Sequence, residues 1–294
     1  VRYVAGLGFS TKERNMAEQP NINRVPAEGH LVYTATNLHA RKGEESSPAF
    51  LNIAPVLYMK LEKFNLEGVD GEARNWSEYG QWYYDKLLKG TDELSEETKA
   101  KIRQLVGNEK NPLEIAKIVY KYVQDKTRYV SIQVGIGGYK PMLAKDVDKL
   151  GYGDCKALSN YTRALLAAVN VPAYNVLIYG DRNPRDFDPE FAATQGNHMI
   201  LCLPDGDNYI WLECTSQTDP FGYQGKFTDN RTALVVTPGG GKIVRTGGFN
   251  EKGNSQVTKG SVTLSPEGNL SAALAIRSCG VQYDDVYRIT QLSK

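Results

Sequence analysis

Hydrophobic and polar positions change their period twice along this chain. Over residues 1–66 the pattern is β-rich and irregular. Residues 31–36 and 56–61 each predict a strand, with the polar stretch 41–48 between them. From about residue 76 the spacing turns helical. Ser77 is the expected cap of a helix carrying Tyr79, Trp82, Tyr83 and Leu87, and Ser95 of a second with Ile102, Leu105 and Val106 on its apolar side. Asn111-Pro112 opens a third, on which Leu113, Ala116, Val119, Tyr120 and Val123 repeat at helical intervals. The aromatic residues of these helices are expected in the core.

Alternation returns over 128–134, a predicted half-buried strand. The following Gly135-Ile136-Gly137-Gly138-Tyr139-Lys140-Pro141 is too irregular for a dinucleotide fingerprint. A helix is predicted to open at Cys155, with Leu158, Tyr161, Leu165, Leu166 and Val169 on one side, and to end before Asn170-Val171-Pro172. Strands follow at 175–179, on both sides of 204–207, and at Thr232–Thr237, closed off by Pro238-Gly239-Gly240-Gly241. Beyond about residue 247 the pattern is β again, with 261–264 and 269–276 joined by Ser265-Pro266-Glu267-Gly268. No internal repeat appears.

Asp205-Gly206 is a strong signal for a two-residue type I′ turn. With that turn, His198 lies opposite Glu213, Ile200 opposite Trp211, and Cys202 opposite Tyr209. Met199, Leu201, Ile210 and Leu212 then form an apolar face, while His198 and Glu213 share the other with the aromatics. Directly opposed Cβ atoms are about 4.5–5.5 Å apart, close enough for a carboxylate to accept from one imidazole nitrogen. The same register puts Cys202 and Cys214 on opposite faces and argues against a disulfide between them.

Composition narrows the function classes. The chain has 294 residues, with 35 Lys plus Arg against 34 Asp plus Glu. That balance gives no electrostatic case for nucleic acid or an anionic membrane as partner. No apolar run approaches the ~18 residues of a spanning helix, so no direct membrane insertion is expected in this segment. Residues 1–10 lack an initiator Met and a proper apolar core and do not read as a signal peptide, so the chain reads as a mature or trimmed piece of something longer. The cysteines at 155, 202, 214 and 279 show no C-x-x-C spacing, and His30 and His39 have no ligand partners nearby, so no metal site is expected.

The chemistry concentrates in Gly151-Tyr152-Gly153-Asp154-Cys155-Lys156-Ala157-Leu158. Gly153 permits a tight entry to the helix, Asp154 suits its cap, and Cys155 would hold its sulfur at the positive helix end. A free thiol has a pKa of about 8.5, which a helix N-terminus or an imidazolium lowers. Cys155, His198 and Glu213 thus form a candidate nucleophile, base and orienting acid. The Cys155 N–H is a candidate oxyanion donor, Gln133 a second one, and Tyr152 and Trp211 are candidate cleft residues. Cys202, Cys214 and Cys279 read as packing or bystander thiols.

Arg128-Tyr129-Val130-Ser131-Ile132, Gly138-Tyr139-Lys140-Pro141, the Cys155 motif, Asn197-His198-Met199 and Trp211-Leu212-Glu213-Cys214-Thr215 occur in an order that resembles the bacterial transglutaminase-like superfamily. The resemblance covers about residues 75–238. It implies an α+β fold: a papain-like core of helices packed on an antiparallel sheet, with flanking β-sandwich segments. The expected division is 1–66 as the end of one β domain, 67–246 as the core, and 247–294 as the start of another. The family usually has Asp-Pro where this chain has Glu213-Cys214, so Asp219 is the fallback acid. The resemblance further implies a thioester-forming acyltransferase or amide hydrolase. Its substrates would be peptides or proteins, it would need no cofactor, and it would commonly sit in the exported cell envelope. The alternative is a catalytically silent envelope scaffold or peptide-binding module.

Overall fold

The computed structural model describes residues 8–17, 21–27, 30–45, 47, 48 and 50–286. The N-terminal part holds β1 (Phe9–Arg14), β2 (Ile22–Ala27), β3 (His30–Ala35), the single turn α1 (Phe50–Ile53), β4 (Val56–Leu61), β5 (Lys63–Leu66) and β6 (Val69–Glu72). They pair antiparallel as β1–β4, β2–β3 and β5–β6. The expected strands at 31–36 and 56–61 match β3 and β4 within a residue. The β5–β6 hairpin runs across the expected division at 66/67.

Three long helices follow: α2 (Trp76–Tyr83), which continues as a π-turn over Tyr84–Leu88, then α3 (Glu96–Val106) and α4 (Pro112–Lys126). Ser95 and Asn111 cap α3 and α4 as the sequence implies, each side chain accepting from a first-turn amide. The first helix differs, because Asn75 and not Ser77 is its cap, accepting from the Glu78 N–H at 2.9 Å. The strand expected over 128–134 contracts to β7 (Arg128–Tyr129) and gives way to loop and a 3₁₀ turn at Gly135–Gly138. The only ladder partner there is the two-residue β8 (Tyr152–Gly153), lying parallel to it after α5 (Ala144–Leu150). Two residues of partner cannot extend seven residues of alternation.

Next come α6 (Cys155–Ala167), β9 (Tyr174–Ile178), β10 (His198–Asp205), β11 (Asn208–Leu212), β12 (Thr232–Thr237) and β13 (Gly240–Arg245). The five strands form one antiparallel sheet in the order β11-β10-β9-β12-β13. One face buries Met199, Leu201, Leu212 and Leu234 under α2, α4 and α6. The other buries Val176, Ile178, Ile200, Cys202, Trp211 and Val235. The face assigned to His198 and Glu213 is therefore a second core surface. The chain ends its described part with the ribbon β14 (Gln256–Leu264) and β15 (Leu270–Ser278), then the single turn α7 (Tyr283–Val286).

The β10–β11 register corrects the expected one. Cys202 faces Trp211, not Tyr209, and Asp205 faces Asn208. The turn is Gly206-Asp207, with positive φ at Gly206 (58°) but not at Asp207, the pattern of a type II′ turn with glycine first. Asp-Gly-Asp contains both turn signals, and the strands chose the second. The slip moves each partner by two positions, so every side chain keeps its face. Cys202 and Cys214 accordingly sit in different core clusters, and all four cysteines are free thiols.

Candidate active site

Cys155 is the first residue of α6. Asp154 Oδ1 accepts from the Ala157 N–H at 3.0 Å, which closes the first turn and leaves the Cys155 amide without an intrahelical partner. Lys156 pairs with Asp154 in a buried contact, so neither charge is left isolated beside the sulfur. Ser159 Oγ donates to the Met199 carbonyl at 3.2 Å and ties α6 to β10 one residue from His198. Cys155 is buried, at 3% exposure, yet it lines a pocket of about 390 Å³ together with His198.

His198 opens β10, where the sheet ends, paired with Ile178 of β9. Its Nε2 lies 2.8 Å from Glu213 Oε2. Extending the observed register would place Glu213 opposite Ile200, diagonal to His198. The longer glutamate side chain spans that diagonal, which is about 7–8 Å in such pairs. Glu213 Oε1 accepts from the Thr215 N–H at 3.1 Å and its hydroxyl at 2.6 Å. Helix α4 steadies the segment: Tyr120 donates to the Glu213 carbonyl at 2.8 Å, and Gln124 to the carbonyls of Ser216 (3.1 Å) and Asp219 (2.9 Å).

Burial works against a charge on His198, but the Glu213 carboxylate and the Cys155 sulfur together outweigh it, raising the ring's pKa to about 10. Burial likewise pushes Glu213 up, yet the His198 charge and the Thr215 hydrogen bonds hold it below the usual carboxylate range. At neutral pH the pair is an imidazolium and a carboxylate, joined through Nε2. The Cys155 sulfur and this ring line the same cleft.

The ring is also fixed from behind. Phe227 packs edge-on against it, centroids 5.1 Å apart. A Cβ at Gly180 would fall 2.5 Å from Phe227 Cε1 and 3.0 Å from His198 Cβ, so only glycine leaves room for this contact. The Asn197 side chain bonds both backbone groups of Gly180, accepting at 2.7 Å and donating at 3.1 Å. Arg231, fully buried, donates to the carbonyls of Tyr179, Asp181, Lys226 and Asp229 at 2.8–2.9 Å and binds the two loops together.

Phe187 and residues 193–197, from the loop that leads into His198, line one wall of the cleft. Trp76 Nε1 donates to the Asp188 carbonyl at 2.8 Å, Tyr79 shares a hydrogen bond with Thr194, and Trp76 stacks on Phe187 at 5.4 Å. Lys12 of β1 reaches Asp188 and Glu190 at 2.8 Å each.

The remaining sequence candidates divide. Gln133 lines the cleft with Cys155, but from an exposed loop rather than a strand. Tyr152 lies beneath the Arg128 guanidinium at 5.9 Å and is not part of the cleft lining. Trp211 is buried in the far-side core cluster, away from the cleft. Asp219 keeps to the Glu213 side, where burial raises its pKa to about 6, and makes no bond to His198. Thr215, Gly180, Phe227 and Arg231 were not among the candidates. Only Thr215 carried a local signal, two residues beyond the acid. Among the described residues no group of three or more His, Cys, Asp or Glu side chains is placed to hold a metal, and no helix is long and apolar enough to cross a membrane.

Residues 99–224 match the family model of the transglutaminase-like superfamily, so the chain carries a transglutaminase-like domain. A crystal structure of a putative protease from Parabacteroides distasonis resembles the fold with a TM-score of 0.54 at 15% identity. The match covers 83% of this chain and 43% of that one, so the chain spans less than half of that protein's length. A putative cysteine protease from Cytophaga hutchinsonii matches with a TM-score of 0.34 at 13% identity, over 94% of this chain and 79% of that one. No curated protein gives a significant match. The α+β architecture is thus that of the transglutaminase-like group.

Proposed function

We propose that this protein is a cysteine-dependent acyltransferase or amide hydrolase acting on peptides or proteins through a thioester at Cys155. One observation carries the reading: His198, bonded to Glu213, shares a cleft with a cysteine at a helix N-terminus. In this reading the Cys155 proton resides on His198 and the sulfur reacts as a thiolate. The thiolate attacks the amide carbonyl, and the oxyanion forms beside the unpartnered Cys155 N–H. The C–N bond breaks as His198 Nδ1 gives its proton to the leaving amine, and a thioester remains. Water or a second amine then attacks, loses a proton to Nδ1, and releases the thiolate with hydrolysis or transfer. The protease description of the Parabacteroides distasonis structure supports a peptide substrate. In the same reading 67–246 is the catalytic core, and 1–66 and 247–294 belong to neighbouring β domains.

Iodoacetamide labelling tests this without knowledge of the substrate. At about pH 6 Cys155 should react faster than a free thiol peptide, and His198→Ala should slow it at least roughly tenfold. Labelling no faster than a free thiol peptide would overturn the reading and favour a silent scaffold. Incorporation of a fluorescent amine into a Gln-containing protein, lost in Cys155→Ala, would separate transfer from hydrolysis.

A further inference from the structure

We propose that Glu67 makes the cleft selective for a substrate residue with a cationic group on an apolar stem, a lysine- or arginine-like side chain. This rests on the acyl-transfer reading of the cleft and names the substrate chemistry it favours. Glu67 and Gly68 are the central residues of the β5–β6 turn, closed by the Leu66–Val69 pair, and both have positive φ, 48° and 87°. Such type I′ turns are normally Asn-Gly or Asp-Gly. A glutamate held in the left-handed region is strained, and strain of this kind points to a role for the side chain.

The turn is aimed at the cleft. Leu66 and Val69 on either side of it pack into the apolar cluster that includes Ile136 and Tyr139. Glu67 lines the cleft, its Oε2 lying 3.8 Å from where a side chain would begin at Gly135. The other charged residues of the lining are compensated, Lys156 by Asp154 and His198 by Glu213. Glu67 makes no ion pair among the described residues, so it sets the sign of the field at the mouth.

The wall behind it is aromatic, and its polar ends are already committed. Trp76 Nε1 is bonded to the Asp188 carbonyl, Tyr79 to Thr194, and Tyr83 to the Tyr139 carbonyl. What these rings still offer a ligand is their faces and edges, which suit methylenes and cations. A pocket of about 390 Å³ takes one long side chain.

The test compares two thiol reagents of opposite charge, aminoethyl and sulfonatoethyl methanethiosulfonate, with iodoacetamide as the neutral reference. Modification is quantified at Cys155 by peptide mass spectrometry. Glu67→Gln should lower the cation-to-anion rate ratio by roughly 3–10-fold, each rate being normalised to that of iodoacetamide on the same variant, and added salt should shrink the difference. Glu67→Asn should lower the ratio equally and raise the melting midpoint, because asparagine tolerates this turn position. An unchanged ratio in both variants overturns the proposal whatever the midpoint does. The ratio is read independently of the absolute rate, so slow iodoacetamide labelling of the wild type condemns the acyl-transfer reading and not the selectivity.

Discussion

The bond between His198 and Glu213 sets the charge state of the cleft, and its removal has a definite sign. Without the carboxylate, burial acts on the ring opposed only by the Cys155 sulfur. Glu213→Gln should therefore move the alkaline limb of the activity profile from near 10 to lower pH, which a pH series of turnover would show. Stability follows the same two groups. The folded value for His198, about 10, exceeds its ordinary 6.5, so its contribution is complete below about 6.5 and fades as pH rises toward 10. Glu213 is held below its ordinary 4.5, so its contribution is present above that value and is lost as pH falls. Wild type should exceed Glu213→Gln by about 3 kcal/mol near pH 5–6, narrowing toward 10, in urea denaturation. Glu213→Asp should also slow Cys155 labelling, since one methylene fewer does not span the diagonal. The register is the cause. From the family's usual Asp the acid looked one atom too long, and in the fold that length is what reaches the ring.

Among the elements, the wall at 187–197 depends on a strand more than 170 positions away in the chain. Lys12 bridges Asp188 and Glu190, Tyr58 packs on Phe191 at 5.9 Å, and the Lys60 ammonium sits 5.5 Å above the same ring. Lys12→Met should cost the fold no more than about 1 kcal/mol, as partly exposed ion pairs do. It should nonetheless raise amide exchange across 187–197 and lower turnover several-fold, and high salt should mimic both effects. Arg231→Met strands four part-buried carbonyls and should destabilise by roughly 2–4 kcal/mol in thermal melts, with the His198 loop first to exchange. Helix caps at Ser95, Asn111 and Asp154 were legible beforehand because each acts within its own first turn. The strand expected at 128–134 was not, because a ladder needs a partner of matching length and only Tyr152–Gly153 is present.

Across the whole molecule, apolar surface is unevenly covered. Val262, Leu264, Leu270, Leu274 and Ile276 share one face of the β14–β15 ribbon and are each at least 55% exposed. Two strands alone are marginal, and a bare apolar face of this kind is adhesive. The chain should bind a hydrophobic dye and associate at high concentration. Leu274→Lys with Ile276→Lys should abolish both in sizing and fluorescence assays, with the Cys155 labelling rate unchanged.

The alternation of residues 198–212, the helix opening at Cys155 and the side-chain types of the proposed nucleophile, base and acid were readable from neighbours a few positions apart. Periodicity and capping are short-range, so the faces of β10 and β11 survived even a misplaced turn. The choice between Asp205-Gly206 and Gly206-Asp207, the burial of Trp211 behind the sheet, the four-carbonyl grip of Arg231 and the turn at Glu67 beside the cleft were settled only on folding. Each depends on which distant segments pack together, and that competition is decided by total burial and hydrogen-bond satisfaction over the whole chain rather than by any local run of residues.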